Sequence, residues 1–86
     1  MKQKYNLVII ETKNPSVLRQ GSLVCVGRDV YIVARHTVED LFVLINLIDG
    51  NRYFNTPQTL SVLEPILRKE GFTPLPEGTE IKIVAA

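Results

Sequence analysis

The longest apolar run in the chain, residues 41–48, contains one polar side chain, Asn46. It stops at Asp49-Gly50 and resumes as Asn51-Arg52-Tyr53-Phe54. A run that breaks at Asp-Gly and continues in aromatics predicts two antiparallel strands joined by a tight turn. Gly50 supplies the positive φ such a turn needs at no steric cost. Shorter runs flank this central hairpin. Residues 5–11, with β-branched Val8, Ile9 and Ile10 in the middle, predict a first strand. Lys13-Asn14-Pro15-Ser16 ends it, because Asn-Pro favours a turn and Pro15 has no N–H to give a sheet. Residues 17–20 read as one helical turn or an irregular loop ending at Gly21. Residues 23–26 predict a second strand, 27–29 a turn and 30–35 a third strand. On that third strand Val30, Ile32 and Ala34 alternate with Tyr31, Val33 and Arg35. Residues 36–40 form a polar connector. Four consecutive strands with short joints predict an antiparallel meander.

The period changes after Phe54. Residues 55–58 close the meander, and a short helix is expected near residues 61–70. Ser61 and Glu64 have the spacing of a capping box, with Ser61 as N-cap. Leu63, Ile66 and Leu67 fall on one side at i, i+3 and i+4. Arg68 and Lys69 complement the dipole in the last turn. Gly71 suits the left-handed cap, which would fold Phe72 back onto the helix. A start at Thr56 or Thr59 is the alternative, and it would place Pro65 inside the helix. Residues 73–78 read as an ordered loop. Residues 79–84 read as a last strand, Ile81 and Ile83 facing away from Glu80 and Lys82, at an edge or beside the first strand.

These elements predict a mainly β (α+β) chain of five or six short strands and one short helix. With 86 residues it is expected to be a single domain, 1–86. A sheet of this size closes into a small barrel or packs one face on the helix. The first reading is an SH3-like barrel; the second is a bent, open antiparallel meander. The fourth strand constrains either choice. Phe42, Leu44 and Ile48 lie on one of its faces, and Leu41, Val43, Ile45 and Leu47 on the other. Both faces must be dry. The helix covers one, and the second needs the barrel interior or a partner chain. A twofold homodimer is therefore expected. Asn46, mid-strand, needs hydrogen-bond partners if buried.

Composition narrows the function classes. Hydrophobic residues make up 45% and charged residues 22%, which excludes a disordered chain. The net charge of +1 gives no bulk attraction to nucleic acid or membrane. Charge is uneven: residues 1–35 carry six basic and two acidic groups, residues 36–86 four and seven. That pattern reads as chance segregation or as a basic face on the first strands. The single cysteine, Cys25, rules out a disulfide framework or a cysteine zinc site within one chain. It is expected to be a buried, inert thiol. The first apolar run, residues 7–10, is too short for a signal peptide or a spanning helix, so a reducing cytoplasm is the expected setting.

Catalytic chemistry finds little support. His36 is the only histidine, and Ser16, Ser22, Ser61 and Cys25 stand in no nucleophile motif. Residues 36–40, with Glu39 and Asp40, read as a solvated turn and not a metal site. No glycine-rich phosphate loop precedes a helix. A non-enzyme without a cofactor is expected. The best candidate for binding is Asn51-Arg52-Tyr53-Phe54, an amide, a guanidinium and two aromatics just past a turn. Tyr31 and Arg35 share one face of the third strand. The candidate binding residues are thus Asn51, Arg52, Tyr53, Tyr31 and Arg35, of the kinds that stack on a base or grip a phosphate or a protein surface.

The 34 residues 21–54 resemble small bacteriophage-encoded β-domain proteins of the SH3-like kind. The resemblance rests on Gly21 before an apolar strand, a turn at Gly27, Tyr31-Ile32-Val33, and Ile45-Asn46-Leu47-x-x-Gly50-Asn51-Arg52-Tyr53. It implies a phage-encoded β domain working in the host cytoplasm, and it implies no chemistry. Three function classes follow as expectations. The first is a module that binds a host protein or complex as inhibitor or adaptor. The second is a small oligomer that sequesters a nucleotide-like ligand. The third is a nucleic-acid-binding barrel, which near-neutral charge disfavours.

Overall fold

The chain reverses at Gly27-Arg28, where Gly27 takes φ +57 and lets Val26 pair with Asp29 across a two-residue loop. The structure, a computed structural model, describes residues 5–16, 18–36, 40–54 and 56–85. Its elements are β1 (Tyr5–Ile10), β2 (Leu23–Val26), β3 (Asp29–Arg35), β4 (Phe42–Asn46), α1 (Leu60–Lys69), β5 (Thr73–Pro74) and β6 (Glu80–Ala85). They form a four-stranded antiparallel sheet in the order β4-β3-β2-β5 and a two-stranded ribbon, β1-β6. The architecture is mainly β with one short helix. No ladder joins β4 to β5 among the described residues, so the sheet does not close into the barrel that was the first reading. Of the expected meander, β2, β3 and β4 are present, and the last strand, β6, pairs beside β1, one of its two expected places.

The register sorts the side chains of the four-stranded sheet. Val24 pairs with Tyr31, and Val33 with Leu44, so these four share a face. That face carries the core: Val24, Val33, Phe42 and Leu44 pack with Leu63 and Leu67 of α1 and with Phe72. Cys25, Val30, Ala34 and Val43 lie on the other face. On β4, Val43 is 3% exposed on this face and Leu44 0% on the other, with Ile45 half-buried, so the centre of the strand is dry on both sides within one chain. The argument that β4 needs a partner chain to cover it therefore does not hold.

Asn46 ends β4 two residues before its apolar run ends. Its Oδ1 accepts from the backbone N–H of Ile48 at 2.8 Å and of Asp49 at 3.3 Å. The turn then runs through Gly50 at φ +73. Residues 51–54, expected as a strand, do not form one. They follow β4 through Asn46 N–H to the Asn51 carbonyl, an Ile45–Arg52 bridge and Tyr53 N–H to the Leu44 carbonyl. Further on, Phe42 and Gln58 exchange both backbone bonds.

The helix starts earlier than the capping-box spacing suggests. Its N-cap is Thr59, whose carbonyl accepts from Leu63 at 2.9 Å, and Ser61 sits inside the first turn. Pro65 lies within the helix, as the alternative start required. At the other end Gly71 takes φ +82. Phe72 N–H reaches the Leu67 carbonyl and Gly71 N–H the Arg68 carbonyl, the two bonds of a Schellman cap. Phe72, 6% exposed, is folded back into the core as expected. Thr73 and Pro74, expected as loop, instead add β5 to the edge of β2, where the missing proline N–H is tolerated.

The loop after β1 is stitched to the loop before β6. The side chains of Thr12 and Asn14 both donate to the Glu77 carbonyl, and Glu77 N–H donates to the Pro15 carbonyl. Arg19 makes an ion pair with the Glu77 carboxylate. A basic group of the first half is thus matched by an acidic group of the second. Of the two readings for residues 17–20, a helical turn or an irregular loop, residues 18–20 follow the irregular loop, and Val17 is outside the described residues. Thr37, Val38 and Glu39 of the polar connector and the N-terminal Met1 to Lys4 are outside them too. Among the described residues no helix is long and apolar enough to cross a membrane.

Candidate functional site

Tyr31 points from β3 toward the helix side of the sheet, because it pairs with Val24 on one side and Asn46 on the other. The chain past Gly50 brings Tyr53 onto the same side, opposite Leu44. The Schellman cap delivers Phe72 from the end of α1. Three elements therefore meet in a cluster of four rings. Tyr31 and Tyr53 lie 5.5 Å apart, Tyr31 and Phe72 5.6 Å, Tyr53 and Phe72 4.9 Å, and Tyr53 and Phe54 4.8 Å. All four pairs meet edge to face, with interplanar angles of 74–86°. This is the geometry ring quadrupoles favour. Phe72 is the buried base of the cluster, Tyr31 and Phe54 are half-buried, and Tyr53 is its 39% exposed tip.

One carboxylate acts on the tip. Packing around Tyr53 and the carboxylate of Glu70 push the phenol pKa above its ordinary value of 10.0, with Tyr31 and the hydroxyl-to-Glu70 hydrogen bond adding to the shift. Glu70 is the C-cap residue of α1, so the helix end that supplies Phe72 also supplies the carboxylate whose charge acts on Tyr53.

Of the five residues expected to form a site, two come together, Tyr31 and Tyr53. Asn51 serves the turn. Its N–H donates to Asp49 Oδ1 at 2.8 Å and its carbonyl accepts from Asn46, while its side chain stays exposed. Arg52 bridges Ile45, and cross-strand partners share a face. Its guanidinium therefore registers on the Ile45 side of the sheet, away from the rings. Arg35 sits at the far end of β3, four residues or about 13 Å from Tyr31 at ordinary strand rise, and pairs with Asp40 at 3.1 Å. The residues that sequence reasoning left out are Phe72 and Glu70. The glycine cap at Gly71 signalled that Phe72 would fold back, but not that it would land on Tyr31.

The other candidates stay apart. Cys25 is half-buried, not fully buried, and its thiol is pushed up by burial and by the nearby Glu11 carboxylate. A thiol held in its neutral form is a poor nucleophile. Among the described residues, no group of three or more His, Cys, Asp or Glu side chains could hold a metal ion. No protein-family model, curated protein or solved structure matches this chain.

Proposed function

We propose that this chain is a non-catalytic binding module whose contact surface is the aromatic cluster around Tyr53, and that its partner is another protein. The observation that carries the reading is Tyr53 itself, 39% exposed at the tip of a four-ring cluster and in edge-to-face contact with three other rings. A large ring held by its neighbours presents contact area at low entropic cost, and such tyrosines are common energetic anchors of interfaces. The resemblance of residues 21–54 to phage proteins makes a host protein or complex the partner class, with action as an inhibitor or adaptor in the host cytoplasm.

Sequestering a nucleotide-like ligand, or binding nucleic acid, draws less support. The rings pack edge to face on one another, and the charge that acts on Tyr53 is the Glu70 carboxylate. Stacking a base needs an open face, and gripping a phosphate needs a cation. The test is a pull-down from bacterial lysate with wild-type, Tyr53→Ala and Arg52→Ala baits. A protein retained by wild type and by Arg52→Ala, but weakened roughly 30-fold or more with Tyr53→Ala, is the expected result for an anchor residue. Equal retention by Tyr53→Ala would remove the cluster as the contact.

A further inference from the structure

Uncovered aliphatic surface is concentrated on the ribbon. Val8, Ile9, Ile10, Ile83 and Val84 are each 40–53% exposed, and all five belong to β1 or β6. The six-rung register, from Tyr5↔Ala85 to Ile10↔Glu80, sorts them. Val8, Ile10 and Val84 share one face; Ile9 and Ile83 share the other with Leu7 and Ile81. Neither face is sealed. On one side an open cleft of about 420 Å³ lies between Leu7 and Ile9 of β1 and Cys25 and Val30 of the larger sheet. A two-stranded ribbon is marginal in water without cover.

The two edges of the ribbon differ in chemistry. β6 carries Glu80 and Lys82, charges that discourage pairing with another strand. β1 carries no charge, proline or glycine from Asn6 to Ile10. Among the described residues β1 pairs with β6 alone, so its other edge presents backbone donors and acceptors without a ladder. We propose that this edge pairs antiparallel with β1 of a second copy of the chain, giving a continuous sheet β6-β1-β1-β6 about a twofold axis at Val8. The inference is independent of the Tyr53 surface.

The second copy is favoured because the edge is complementary to itself. A twofold axis between antiparallel strands stands perpendicular to the sheet and keeps each face on its own side. Centred on Val8, it sets Val8 against Val8, Leu7 against Ile9 and Asn6 against Ile10. No charge meets a charge. Centring on Ile9 instead sets Glu11 against Leu7. On the β6 edge, centring on Lys82 sets two ammonium groups face to face. Centring there on Ile81 matches Glu80 with Lys82 but leaves Val8, Ile9 and Ile10 uncovered. One short edge covers less than the roughly 800 Å² per partner of a standard interface, so association on the order of micromolar is expected.

Two variants test the register. Val8→Glu faces Lys82 across the ribbon, which supports the monomer fold, and faces another glutamate across the axis. Val8→Cys, in a Cys25→Ser background, places two thiols at a strand-pair spacing of about 4.5–5.5 Å between Cα atoms, within disulfide reach. The expected results are a wild-type mass approaching twice 9.7 kDa by light scattering at concentrations roughly a hundred-fold above micromolar, a folded Val8→Glu monomer, and an oxidised Val8→Cys dimer. The control Val84→Cys, on the same face but on β6, should not cross-link. A wild-type chain that stays at 9.7 kDa, or one captured only by a foreign strand, overturns the proposal. So does a dimer that Val8→Glu leaves intact or that Val84→Cys traps.

Discussion

Tyr53 should hold its proton above the pH at which free tyrosine ionises, because its neighbours and the Glu70 carboxylate disfavour a phenolate there. The sign of the stability effect follows by linkage. A folded-state pKa raised above the unfolded one favours the native state fully below the unfolded value, here near 10.0, and that contribution is lost as pH rises through the raised value. Stability should therefore fall above pH 10, and Tyr53→Phe should flatten the fall. Alkaline titration of phenolate absorbance, read beside denaturant melts, checks both. A Tyr53 that ionises with the other tyrosines would remove Glu70 from the account. Asn46 shows what a single residue does and does not disclose. That it needs partners is legible from its place in an apolar run. That those partners are the Ile48 and Asp49 N–H groups, so that the amide turns the chain, depends on the backbone path and is not in the pattern.

Helix α1 is governed by its buried face more than by its ends. Leu63 is fully buried and Leu67 nearly so, whereas Ser61 and Pro65 are exposed. Leu63→Ala should cost about 2–5 kcal/mol, while Ser61→Ala should stay within about 0.5 kcal/mol because Ser61 is not the cap. Pro65 removes the N–H that the Ser61 carbonyl would accept. Pro65→Ala should stabilise the chain by about 1–3 kcal/mol, since an interior proline costs about 3 kcal/mol and alanine regains some unfolded-state freedom. Urea melts of the three variants test the ranking, and a destabilising Pro65→Ala would mean that the helix is bent to fit. The stripe and the glycine cap are readable because spacing alone fixes them. The start is not, because packing of Leu63 and Leu67 tolerates a proline that local propensity rejects. Residues 51–54 fail for a related reason. Neighbours on a strand point apart, yet the rings of Tyr53 and Phe54 touch, so the backbone bends and the ladder stops.

At the scale of the molecule, two loops hold the ribbon to the helix-backed sheet. Gly78 sits at their junction with φ +83, and a Cβ there would meet Thr12 Cγ2 at 3.4 Å and Asn14 Nδ2 at 3.5 Å. Gly78→Ala should cost about 1–2 kcal/mol for the left-handed backbone alone, since Thr12 and Asn14 stand at ordinary contact distance from the new Cβ. Thermal melts measure the cost, and faster amide exchange in β1 and β6 than in β3 would place it in the ribbon. An unchanged melting temperature would mean that the junction carries no stability. The segregation of charge is legible in the sequence, but its outcome is a three-dimensional fact. Arg19 meets Glu77 across 58 positions of chain, so what looks like a basic half is partly neutralised by the acidic one. The pairing of the last strand with the first was likewise one of two open readings. The alternation puts Ile81 and Ile83 on one face of the strand, and only the chain path says that β1 is the strand beside them.

Pairing the first described strand with the last has a mechanical consequence. Tyr5 and Ala85 face each other at one end of the ribbon. A force applied to the two ends of the chain therefore loads that rung first and opens the six rungs one after another, like a zipper. Shearing would load them all at once and resist far more. The ribbon should yield at low force in a pulling experiment, and the helix-backed sheet should give a second, later event.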